Sequence, residues 1–273
     1  MKEEFVDTTH CRIAVARSGG NGPAILMIHG NSSCKEVFRN QLEGRVGSMF
    51  RCVAMDLPGH GRSADALDPF ATYSMPGYAD AALQTMRALG FETYAVLGWS
   101  LGGHIGLEMT QRSGDVVGLM ISGTPPMGRG EAGMRQAFVA SRHMTLAGQR
   151  HFSDEEIDAY SRATCGVNAP FEGFLRDAVA RTDGRAREIS SSLFRREVGC
   201  NQREAAEKSA VPLAIVNGAD DEFINHDYIA SLDYRNLWEG EVHALPGIGH
   251  APFWEAPEQF DPLLIRFVES VHA

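Results

Sequence analysis

Several things are scarce in this 273-residue chain, and each scarcity closes off a class of function. It has only five cysteines, Cys11, Cys34, Cys52, Cys165 and Cys200, spread along the whole length without a C-x-x-C pair. An odd, scattered set argues against a disulfide framework and a thiolate zinc site, and reduced thiols fit the cytoplasm. Metal and nucleotide motifs are missing too: there is no H-x-H, no H-E-x-x-H, no carboxylate-rich calcium loop and no G-x-x-x-x-G-K-[ST]. No metal and no cofactor are expected. Basic charge is in deficit, 25 Lys and Arg against 35 Asp and Glu for a net charge of -10, which disfavours nucleic acid and anionic membranes as partners. Long apolar runs are absent: the longest uncharged stretches, around Tyr94 to Leu107 and Val116 to Gly128, are short and broken by Gly or Pro, so no membrane span is expected. The opening Met1-Lys2-Glu3-Glu4-Phe5 lacks the apolar run of a signal peptide.

What remains is 44% hydrophobic and 22% charged, an ordinary soluble composition, at a length for one large domain or two small ones. Short apolar runs alternate with helix-period segments and end in Gly, Asn or Asp turns, which predicts an α/β fold with a mostly parallel sheet. The runs are Ala24 to Ile28, Cys52 to Met55, Tyr94 to Leu97, Val116 to Ser122, Leu213 to Val216 and Val242 to Leu245. Glu4 to Asp7 and Arg12 to Ala16 read as an antiparallel edge. Phe260, Leu263, Leu264, Phe267, Val268 and Val271 fall on one helical face behind Pro257, and Tyr78, Ala82, Met86 and Leu89 make a second stripe that stops at Gly90. Between about Pro126 and Lys208 the β rhythm lapses and charge-rich, helix-forming sequence takes over. That predicts a core built from 1–125 and 209–273 with a helical lid, 126–208, over the carboxyl ends of the strands, where open α/β sheets bind ligands. The lid is nearly neutral, 13 basic against 12 acidic residues, so the acidic skew belongs to the core.

Gly98-Trp99-Ser100-Leu101-Gly102 lies between a predicted strand and a helix-like segment, the setting of a nucleophile elbow. A serine hydroxyl needs a base beside it and a carboxylate to orient that base. His250, in a glycine-rich loop after the last predicted strand, can supply the base. The acid comes from Asp220, Asp221 or Glu222 behind Leu213 to Val216; the strand-Gly-x-x-Asp spacing from Gly218 selects Asp221. Two backbone N-H groups must receive the oxyanion: Leu101 offers one, and Asn31, in Ile28-His29-Gly30-Asn31, the other, with its side chain left free to touch substrate. Asp56-Leu57-Pro58-Gly59-His60-Gly61-Arg62-Ser63 has glycines in no phosphate-binding pattern and reads as structural.

Taken together, His29-Gly30-Asn31, Asp56 to Ser63, Gly98 to Gly102, Asp221 and His250 resemble the α/β-hydrolase family. The stretches Met27 to Ser33, Gly98 to Gly106, Gly123-Thr124-Pro125-Pro126, Val179 to Arg187 and Asn236 to Gly240 look like its N-acyl-homoserine lactonases, from about residue 10 to the last helix. Where such a lactonase has Glu, this chain has Asp221, a shorter arm. The resemblance implies an α/β-hydrolase fold and serine-dependent, metal-free opening of the lactone ring of a small acyl substrate, a quorum-quenching activity. It implies substrate contacts from Asn31, Trp99 and Tyr160. Apolar lid residues Phe138, Met144, Leu146, Phe152, Phe171, Phe174 and Leu175 can either bury an acyl chain or form the lid's own core. Rival readings are a carboxylesterase or C-C bond hydrolase of the same fold, and a ligand receptor on a hydrolase scaffold.

Overall fold

Eight strands join one sheet in the computed structural model, which describes residues 2–165 and 168–273. They are β1 (Lys2–Asp7), β2 (Arg12–Arg17), β3 (Ala24–Ile28), β4 (Arg51–Met55), β5 (Tyr94–Trp99), β6 (Val116–Ser122), β7 (Leu213–Gly218) and β8 (His243–Leu245). Their order across the sheet is β1-β2-β4-β3-β5-β6-β7-β8. β2 runs antiparallel to both β1 and β4, and the remaining neighbours are parallel. All expected strands form. β1 begins earlier than its apolar residues suggest, because a solvent-exposed edge accepts charges such as Lys2 and Glu3.

The central strands are buried on both faces, so their runs need no polar alternation. Period two still sorts them: Leu26 and Ile28 of β3 point into one apolar layer, Ile25 and Met27 into the other. The first layer is closed by the helix Met75–Ala88, through Tyr78, Ala82 and Met86; the second by the helix Pro257–Val271, through Phe260, Leu263, Leu264, Phe267 and Val268. Each large side chain so buried stabilises the fold by about 1.5–3 kcal/mol. Between β6 and β7 the described residues form six helices, from Gly130–Ala137 to Gln202–Glu207, and no strand beyond a single bridge from Phe138 to Ile224.

β5 and β7 run two residues further than their apolar signal. Gly98 and Trp99 stay in register with Ile121 and Ser122 of β6, and Gly218 with Leu245 of β8. These last positions are chosen for the turns that follow, so hydrophobicity does not mark them. Asp56 anchors the loop behind β4: fully buried, it accepts the N-H groups of Lys35 at 2.7 Å and Arg62 at 2.8 Å and pairs with Nζ of Lys35 at 3.0 Å. All five cysteines are free thiols. Burial pushes those of Cys11, Cys52, Cys165 and Cys200 up to about 12. Among the described residues no helix is long and apolar enough to cross a membrane.

Candidate active site

The strand order reverses around β3 and β5, and the loops at the carboxyl ends of β3, β5, β7 and β8 converge there. Ser100 follows β5 in a conformation rare for any side chain, φ 52° and ψ -114°. Two glycines allow it. A Cβ at Gly98 would run into the carbonyl of Gly102, and one at Gly102 into the carbonyl of Ile28. The turn is therefore packed backbone to backbone, and the Ser100 hydroxyl does not cap the helix Leu101–Thr110 that it begins. In the first turn of that helix the N-H of Leu101 has no intrahelical acceptor. The N-H of Asn31, behind β3, likewise donates to no group among the described residues. Both residues line the same cavity as Ser100.

His250 sits in the loop between β8 and the helix Pro252–Glu255. Its Nδ1 donates to Oδ2 of Asp221 at 2.7 Å, and the two side chains are 5% and 0% exposed. The other oxygen, Oδ1, accepts the N-H of Phe223 at 2.9 Å, which fixes the carboxylate. Asp220 and Glu222 are exposed, and Asp221 alone of the three bonds to the imidazole. The ring lies between Phe223, centroids 4.6 Å apart, and Trp99 at 5.6 Å. With Nδ1-H held by a carboxylate, Nε2 keeps its lone pair and can take a proton from a hydroxyl.

Ser100, Asn31, Leu101, Trp99, Tyr160 and His250 line one cavity of about 130 Å³, walled as well by residues of the helices between β6 and β7 such as Met134, Met144 and Phe194. Trp99 presents only its ring there, because its indole N-H donates to the carbonyl of His250 at 2.8 Å. Tyr160 is buried against Phe152, and burial pushes its phenol above the usual range, with Arg187 and Asn31 opposing. It stays a neutral donor. The expectation that the Asn31 side chain is free is corrected: its amide donates to the carbonyl of Ala147 at 2.8 Å. That carbonyl ends the short helix Arg142–Leu146 and needs an external donor, which Asn31 supplies.

A second tie runs beside it. Arg187, 4% exposed, donates to the carbonyls of Gln149 at 2.8 Å and Arg150 at 3.1 Å and reaches the hydroxyl of Ser32 at 3.2 Å, with its guanidinium over Phe152. Asp183 completes the attachment, accepting from the phenol of Tyr73 at 2.6 Å while its N-H donates to Gly59 at 2.9 Å. Of the seven apolar residues named for an acyl chain, only Phe138 and Met144 reach the cavity wall. Leu146 and Phe152 pack around Tyr160 and Val179, and Phe171, Phe174 and Leu175 pack onto the layer under the terminal helix. The sequence reading missed His104 and Phe223, which also line the cavity, although their spacing from Ser100 and Asp221 could have signalled them. It also missed a surface group of metal-capable side chains, Glu239, Glu241 and His243, outside the cavity; Glu239 is already paired with Arg266 at 3.0 Å.

The fold and this convergence of loops define a class. The chain belongs to the alpha/beta hydrolase family, whose model matches residues 25–262. Within that class it is similar to the solved N-acyl homoserine lactonase AidH complexed with N-butanoyl homoserine, at 48% identity and a TM-score of 0.96 over 99% of this chain and 97% of that one. A mutant of the same enzyme complexed with N-hexanoyl homoserine lactone matches at 47% identity and TM-score 0.96, covering 99% and 98%. More distant are a 2-hydroxy-6-oxononadienedioate/2-hydroxy-6-oxononatrienedioate hydrolase of a Pseudomonas species, 26% identical over 97% of this chain and 96% of its own, and a pimeloyl-[acyl-carrier protein] methyl ester esterase of Xanthomonas oryzae, 28% identical over 92% and 97%.

Proposed function

We propose that this protein is a serine hydrolase that opens the lactone ring of N-acyl-homoserine lactones, with 126–208 as a cap on a core of 1–125 and 209–273. Ser100 attacks the lactone carbonyl while Nε2 of His250 takes its proton. The N-H groups of Asn31 and Leu101 receive the oxyanion, and Asp221 stabilises the imidazolium. The bond from the carbonyl carbon to the ring oxygen then breaks, and His250 returns the proton to that oxygen. The freed hydroxyl stays tethered to the acyl-enzyme. Water, deprotonated by His250, cleaves the ester to Ser100 and releases the N-acyl homoserine. Tyr160 contacts the amide or lactone oxygens, Asn31 contacts the substrate through its backbone N-H and the amide hydrogen not held by Ala147, and Trp99 lies under the ring. Carried out in the cytoplasm, the activity amounts to quorum quenching.

The observation that supports this reading most is the likeness to the lactonase over 99% of the chain, through the capping helices as well as the core. Caps shape substrate pockets, so agreement there bears on the substrate and not only on the fold. The esterase and C-C bond hydrolase relatives keep a second reading in play, another small ester or ketone at the same serine. The test is to incubate the purified protein with an N-acyl-homoserine lactone at pH 7 and follow the hydrolysed acid by mass spectrometry, beside a panel of aryl esters. Conversion no faster than with Ser100→Ala would sink the lactonase reading. EDTA is expected to leave the rate unchanged.

A further inference from the structure

His104 lies four residues after Ser100 on the elbow helix, and its N-H donates to the Ser100 carbonyl at 3.3 Å. It is 6% exposed and wedged between Phe138, at 5.8 Å between ring centroids, and Phe194, at 5.4 Å. A histidine among aromatic rings is costly unless its polar atoms are satisfied. Only one is. Nδ1 donates to Oε1 of Gln202 at 2.6 Å, from a side chain that is itself 2% exposed. Nε2 has no protein partner among the described residues, and His104 lines the cavity together with Phe138 and Phe194. Burial pushes the imidazole down to about 4, against the bond to Gln202, so the ring is neutral at physiological pH. With its proton held on Nδ1, the ring can offer the cavity only the lone pair of Nε2.

We infer that His104 is a specificity residue that accepts a hydrogen bond from a hydroxyl carried on the substrate's acyl chain. The inference rests on the lactonase reading, and the position follows from it. From the lactone carbonyl attacked by Ser100, the third carbon of the acyl chain is five bonds away, comparable to the one helical turn, about 5.4 Å, that separates Ser100 from His104. A 3-hydroxyl can donate to Nε2. A 3-oxo group brings a second acceptor against the lone pair, and an unsubstituted chain leaves Nε2 without a partner. Selection by one buried acceptor works in this way: the analogue that lacks the donor is penalised by the polar group it leaves unpaired. Gln202 is the positioning residue of the pair, because it decides which nitrogen carries the proton.

The experiment compares kcat/KM for three lactones of equal chain length, 3-hydroxy, unsubstituted and 3-oxo, in the wild type, in His104→Phe and in Gln202→Leu. The wild type should prefer the 3-hydroxy chain over the unsubstituted one by roughly two- to tenfold, the worth of one hydrogen bond, and disfavour the 3-oxo chain. His104→Phe, which suits the aromatic surroundings, should erase the ranking. Gln202→Leu frees the proton to move to Nε2 and should shift preference toward the 3-oxo chain. If His104→Phe does not fold, Gln202→Leu still reads the tautomer. Turnover of all three lactones at equal rates by the wild type, or a ranking unchanged in the folded variants, overturns the inference and leaves the lactonase reading intact. No turnover of any of them overturns both.

Discussion

Nδ1 of His250 and Oδ2 of Asp221 stand 2.7 Å apart, out of solvent, with the second carboxylate oxygen fixed by the N-H of Phe223. The carboxylate has no freedom to turn. Asp221→Asn should keep the fold and lower kcat by about 10³–10⁴-fold, because an amide can hold the wrong tautomer. Asp220→Asn, whose side chain faces solvent, should change kcat less than about twofold. Steady-state kinetics on both variants decide it; equal losses would show that Asp221 is not the orienting group.

Ser100 adopts a backbone conformation that costs an L side chain about 1–3 kcal/mol. Ser100→Gly should therefore abolish turnover and raise stability by about 1 kcal/mol, a rise of roughly 2–4 °C in Tm. Calorimetry beside the activity assay reads both. An inactive variant that melts below the wild type would mean that the serine stabilises its own turn.

Arg187 joins the helices between β6 and β7 to the loop that carries Asn31. Arg187→Met keeps the stem against Phe152 and removes the directional bonds. It should cost about 2–3 kcal/mol of stability and lower kcat more than it raises KM, since the loop it releases carries the N-H proposed to receive the oxyanion. Arg187→Lys restores the charge without the fork and should recover little. A folded Arg187→Met protein with wild-type kcat would detach the loop's geometry from this side chain.

Asp261 gives the stability a pH dependence opposite to that of a paired carboxylate. Burial pushes its pKa up to about 6, against a 2.8 Å hydrogen bond from Gln41 and with Glu258 adding to the rise. The folded state thus binds this proton more tightly than the unfolded chain. The contribution to stability is full below about pH 4 and is lost as pH climbs through 6, by about 3 kcal/mol at most. Asp261→Asn is neutral throughout, so its advantage over the wild type should grow from pH 4.5 to 7.5 and then level off. Denaturant titrations at four pH values would show it.

Much of this was legible in the chain, and the losses follow a pattern. Strands that fill a two-sided core announce themselves as continuous apolar runs, and the elbow announces itself because its glycines have no substitute. Its distance from Gly218 favoured Asp221 over Asp220 and Glu222 without separating them; the 2.7 Å bond to His250 does that. The side-chain partners across the cavity were not legible. Whether Asn31 is free depends on where a helix some 116 positions along leaves a bare carbonyl, and whether His104 faces core or cavity depends on Gln202, 98 positions away. Val179 to Arg187, read from the sequence as a substrate signature, turns out to hold attachment residues: Asp183 binds the loop after β4, and Arg187 binds the loop after β3. Local pattern carries no record of contacts made at such range.

Those two attachments limit how the protein can be rebuilt. Helices between β6 and β7 grafted from another hydrolase would bring their own pocket walls, yet they would arrive without an acceptor for the Asn31 amide or a guanidinium for Ser32. The loop beneath would relax, and the chimaera would bind its new ligand with the proposed oxyanion donor of Asn31 out of place. Transplants should therefore leave Ala147 and Arg187 in place and exchange only the helix faces that look into the cavity.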